Sequence, residues 1–193
     1  MTSNPPMHQS TTPRVEENLA ALGKSFEVFL GASSRYPREL VTRKPTEIAF
    51  SATEILYHML DVERLWQRRI RGLLDGTMKT FQQMDPDKEA RDARYNEKPY
   101  EQGLSELKRA RAETHALVRG MGADELLLTG IHSTYGEMNT FDILAKMEGH
   151  DRTHAAQLER TFSVVARSPR LAVKNISDDH STEGKAGEPR HYN

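Results

Sequence analysis

Apolar residues recur along this chain at helical spacing in four separate stretches. Val15, Leu19, Leu22, Phe26 and Phe29 mark the first. Successive members lie three or four apart, so they share one face of a helix. Thr12 reads as its N-cap, Pro13 as its first-turn proline, and Gly31 as its end. A second stripe runs through Ile55, Met59, Val62, Trp66, Ile70 and Leu73. Its start is the sharpest local signal in the chain. Ser51-Ala52-Thr53-Glu54 has the form of a capping box, and Phe50 with Ile55 sits where a hydrophobic staple needs apolar residues. Pro99 opens a third helix carrying Tyr100, Leu104, Leu107, Thr114, Leu117 and Met121, ended by Gly120 and Gly122. Asn139 or Thr140 caps a fourth, whose stripe includes Phe141, Leu144, Ala155, Leu158, Phe162 and Val165 before Ser168-Pro169.

Helices near residues 13–30, 51–74, 99–121 and 140–167 with no convincing strand between them predict an all-α four-helix bundle. The connection from Asp75 to Lys98 is long, charged and poor in large apolar residues, and it permits a crossover. Ile131 to Gly136 could be extended. Residues 1–11 read as a disordered N-terminus, 12–167 as the bundle, and 168–193 as a flexible polar tail.

Composition narrows the chemistry. The chain has 193 residues, a formal net charge of −1 and no cysteine. The near-neutral balance gives no basic face for nucleic acid. Without cysteine there is no disulfide, no thiolate ligand and no cysteine nucleophile. No apolar run is long enough to cross a membrane, and the N-terminus lacks the apolar core of a signal peptide, so the expected location is cytoplasmic.

The candidate chemistry sits on the second and fourth helices. His150 and His154 are one turn apart on a stripe continued by Ile143, Met147, Leu158 and Thr161. His58 lies beside the inward stripe of the second helix. Three inward imidazoles can hold a divalent transition metal with a coordination position left open, as catalytic sites require. Other metal patterns match less well. The zinc-protease motif needs Glu directly after the first histidine, and here that residue is Asp151. Carboxylate-bridged di-iron bundles need Glu-x-x-His pairs, and none of the predicted helices carries one. Glu54 is explained by the cap. Asp61 and Gln157 lie one turn from candidate ligands and could orient an imidazole. Trp66 reads as core. His132, Tyr135 and Arg152 could line a pocket mouth. His115 is left unplaced by the periodicity, and His8, His180 and His191 fall in the expected tails.

The stretches Ser51-Ala52-Thr53-Glu54-Ile55-Leu56-Tyr57-His58-Met59-Leu60-Asp61-Val62-Glu63 and Gly149-His150-Asp151-Arg152-Thr153-His154-Ala155-Ala156-Gln157-Leu158 resemble the DinB/YfiT-like superfamily. The resemblance implies a bundle of up-down-down-up topology, with His58, His150 and His154 as the metal triad. It also implies a cofactor that is a divalent transition metal: zinc first, with nickel, iron or manganese as alternatives. The activity it implies is thiol-dependent S-transfer, with a small-molecule thiol and an electrophilic substrate as partners. Since the chain has no cysteine, the thiol must arrive as a cosubstrate. A non-catalytic metal- or small-ligand-binding stress protein and a metal-dependent hydrolase are the alternatives. A homodimer is expected on the same resemblance.

Overall fold

The structure is a computed structural model that describes residues 8–167, with side chains from residue 13 onward. Its elements are α1 (His8–Arg35), α2 (Ala52–Leu74), β1 (Thr80–Phe81), α3 (Pro86–Asp92), α4 (Tyr100–Arg119), α5 (Ala123–Leu126), β2 (Gly130–His132), β3 (Gly136–Met138) and α6 (Thr140–Val165). Single 3-10 turns lie at Arg38–Leu40 and Tyr95–Glu97. The four long helices are those predicted.

Their directions follow from which residues share a core. One apolar cluster takes Phe29, Tyr36, Leu56, Leu60, Leu107 and Leu158. The other takes Leu19, Ile70, Phe81, Val118, Phe141 and Met147. α1 and α6 pass from the second cluster to the first, whereas α2 and α4 pass from the first to the second. The bundle is therefore up-down-down-up, with α1 packed chiefly on α6 and α2 on α4. Parallel neighbours α2 and α4 cannot be joined by a short turn, so residues 75–99 return along the length of the bundle, as the long connection predicts.

Between the clusters lies a buried polar layer to which every long helix contributes. Arg111 of α4 donates to Glu63 of α2 at 2.8 Å and to Asp151 of α6 at 2.8 Å. Ser25 of α1 donates to Asp151 at 2.9 Å, and Thr114 donates to Glu63 at 2.5 Å. All five side chains are buried. Two carboxylates and one guanidinium are affordable there only because each finds several partners.

Three expectations are corrected. α1 begins at His8 rather than at a Thr12 cap, so Pro13 lies inside the helix. Its ring removes a single ladder bond close to an N-terminus whose first N–H groups have no intrahelical partner. α1 also runs through Gly31 to Arg35, because Ala32 and Tyr36 bury against the far core and Tyr36 packs on Phe162 at 5.3 Å. The chain does contain strands. β1 pairs parallel with β2, and β2 antiparallel with β3. Two or three residues are too few to show an alternating pattern. The remainder of the expected N-terminal segment and the 168–193 tail lie outside the described residues.

Candidate metal centre

The register of α2 is set at its first turn. Ser51 Oγ accepts from the Glu54 N–H at 3.1 Å, and Glu54 Oε2 accepts from the Ser51 N–H at 2.8 Å. This capping box fixes where the helix starts and therefore where His58, two turns in, points. α6 is fixed in the same way by Asn139 and Asp142. Antiparallel packing of α2 on α6 then brings His58 against His150 and His154.

The three Nε2 atoms converge. Nε2 of His150 lies 3.1 Å from Nε2 of His58 and 3.1 Å from Nε2 of His154. All three ligand atoms fall within 4.8 Å of one another. Hydrogen bonding cannot account for this. A neutral imidazole nitrogen either donates one proton or accepts through one in-plane lone pair, so His150 Nε2 cannot satisfy both neighbours. A cation can face all three lone pairs. With Zn–N distances of about 2.0–2.1 Å, a tetrahedral site has ligand edges of about 3.3 Å, close to the two spacings made by His150, while the third pair, His58 and His154, falls within 4.8 Å.

Tautomer and charge favour the same use. Gln157 Oε1 lies 2.6 Å from Nδ1 of His154, so Nδ1 carries the proton and Nε2 presents its lone pair. Nδ1 of His58 is buried with no partner among the described residues. Burial, with His154 nearby, pushes the pKa of His58 down to about 3. Burial, then the two other histidines and Arg111, take His150 to about 2. Burial also lowers His154, partly offset by its bond to Gln157. All three are neutral at pH 7, the form that binds a metal.

The triad opens into a cavity of about 450 Å³. Phe50, Val62, Leu65 and Trp66 give it an apolar wall, and Arg69 with His132 stands at the other end. β1 and β2 put His132 there: Phe81 is in register with His132, and the Ser133 N–H donates to the Phe81 carbonyl at 2.9 Å. Asp87 of α3 is the sole carboxylate among the described lining residues.

Of the residues singled out in the sequence, the structure brings His58, His150, His154 and Gln157 together. His132 and Tyr135 line the same cavity, and Trp66 is both core and wall. Asp61 does not orient a histidine; it accepts from the Tyr95 hydroxyl. Asp151, which follows His150, points away from the triad and is a buried partner of Arg111. Arg152 is exposed and pairs with Glu148. His115 stands apart from the cavity, half-buried with Nε2 unpartnered among the described residues. His180 and His191 lie outside the described residues, as does the side chain of His8. Arg69 was not anticipated, although its step of eleven from His58 puts both on one face of α2.

The model of the DinB superfamily matches residues 21–158. The chain belongs to the DinB superfamily. Among solved structures, this DinB-superfamily chain is similar to YfiT from Bacillus subtilis, described as "a probable metal-dependent hydrolase with an unusual four-helix bundle topology". The TM-score is 0.65 at 12% identity, over 83% of this chain and 94% of that one. At that identity the likeness establishes the fold. No curated protein matches the chain in sequence.

Proposed function

We propose that His58, His150 and His154 bind one divalent transition metal, zinc first and nickel, iron or manganese as alternatives, and that the protein is a metal-dependent transferase. The reaction we infer joins a low-molecular-weight thiol to an electrophilic small molecule. The observation that carries this reading is the convergence of three neutral Nε2 atoms at one end of a largely apolar cavity. A metal held there supplies a Lewis acid that draws the pKa of a thiol or of water toward neutrality. The protein's own groups do the rest. Gln157 holds the tautomer of His154. Phe50, Val62 and Trp66 exclude water and bind apolar substrate. Nδ1 of His132 is occupied by two backbone N–H groups. A thiol made acidic by a metal needs no strong protein base, which matches a cavity with a single carboxylate.

A metal-dependent hydrolase is the second reading. The description of YfiT favours it, and Asp87 is the lining residue that would take a proton from water. The assay separates the two. Protein loaded with each metal in turn is given cysteine or N-acetylcysteine with chlorodinitrobenzene, and aryl esters in a parallel reaction. Transfer predicts metal-dependent consumption of thiol, abolished by His150→Ala. Ester cleavage without thiol consumption would replace transfer by hydrolysis.

A further inference from the structure

Arg69 is the residue of the cavity that the triad does not explain. Its side chain is buried, at 3% exposure, yet no carboxylate among the described residues pairs with it. The guanidinium lies over the Trp66 ring, with Cζ 4.3 Å from the centroid, and 5.4 Å from that of Phe81. One N–H donates to the Gln82 carbonyl. Arg69 lines the cavity, and its other guanidinium nitrogens make no hydrogen bond to the described residues. Burial and then Arg68 lower the pKa of Arg69, with Tyr135 acting the other way, and burial, then Arg69 and Lys146, lower that of His132. Asp87 lines the same cavity but forms no ion pair with Arg69. A buried cation without a counter-ion is costly, and an anion supplied by a ligand removes that cost.

His132 adds a second donor. Its Nδ1 accepts from the N–H groups of Thr134 at 3.0 Å and Tyr135 at 3.4 Å. The ring proton is therefore on Nε2, which has no partner among the described residues. The ring stacks on Tyr135 at 4.5 Å, with Lys146 Nζ 4.0 Å above Tyr135. Donors and positive charge thus collect at one end of the cavity, and metal-ligating nitrogens at the other.

The spacing between the ends is fixed by α2. Arg69 follows His58 by eleven residues, three turns and about 16 Å of rise on the same face. Long side chains on a helix lean toward its N-terminus, and the stacking on Trp66 shows Arg69 doing so. Val62, Leu65 and Trp66 lie between. The geometry points to an anion subsite: Arg69 and His132 receive the carboxylate, or a chemically equivalent anionic group, of an elongated molecule with an apolar middle and its reacting end at the triad. This assignment rests on the triad as reacting centre.

Trp66 is the chain's sole tryptophan and touches Arg69, so its fluorescence reports occupancy directly. The full-length protein is titrated with 4-phenylbutanoate and with its neutral isostere 4-phenylbutanamide, metal-loaded and after chelation. Wild type should bind the carboxylate about tenfold or more tightly than the amide, in both metal states and less so at high salt. Arg69→Gln should bind the two alike, and Arg69→Lys should retain part of the preference. No preference in wild type, or a preference that survives Arg69→Gln, overturns the subsite. A preference lost on chelation but kept in Arg69→Gln would put the carboxylate on the metal, overturning the subsite while leaving the metal reading intact. Should the protein hold no metal yet keep an Arg69-dependent preference, the subsite stands and the proposed reaction falls.

Discussion

His58, His150 and His154 carry a cost that is visible in the protein without metal. Each is driven below its ordinary pKa by burial, so the folded state resists protons that the unfolded chain accepts below about pH 6.5. Groups depressed on folding contribute stability above their unfolded pKa and lose it as pH falls toward the folded value. The metal-free protein should therefore unfold at a lower temperature at pH 5 than at pH 7. Replacing His58 and His150 together by Gln should flatten that slope, and an unchanged slope would refute the burial argument. The triad was legible in the sequence because its members sit on or beside apolar stripes. The buried partners Glu63 and Arg111 were not, since charged residues at inward positions read as exposed until their mutual contacts are seen.

The long helices declare themselves through period and caps: the capping box at Ser51 falls where the sequence puts it, and of the two candidate caps of the fourth helix the structure takes Asn139. What the period does not convey is how closely two helices approach. α4 meets α2 at Gly103, where an added Cβ would stand 2.9 Å from Cδ2 of Leu56 and 3.0 Å from Cε2 of Tyr57. Leu56 is fully buried, and the Tyr57 hydroxyl is tied to the Pro99 carbonyl at 2.8 Å, so neither yields easily. Helix propensity alone says Gly103→Ala gains nearly 1 kcal/mol; the clash reverses the sign, for a net loss of about 1–2 kcal/mol. Urea denaturation measures this, and a more stable variant would show the approach to be looser than described. The extended reading of Ile131 to Gly136 overlaps β2, but β1 escaped sequence reading because its register comes from long-range parallel pairing with β2 rather than from any local pattern. The strands matter beyond their size, since they carry His132 to the cavity.

At the scale of the whole molecule, a polar layer divides the core and ties all four long helices at one level. Arg111 bonds to α2 and α6 at once, the two helices that bear the triad. The candidate metal site is thus a property of the assembled bundle, as neither helix holds more than two of the three histidines. Among the described residues no helix is long and apolar enough to cross a membrane. Four apolar stripes remain in any single histidine variant, so folding should survive loss of a ligand even where metal binding does not. Elemental analysis of protein reconstituted with zinc, nickel, iron or manganese and then dialysed is the most direct test. Wild type should retain one metal per chain, and His58→Ala, with unchanged helical content, should retain far less. No stoichiometric metal in wild type, or equal retention in His58→Ala, would contradict the three-histidine centre.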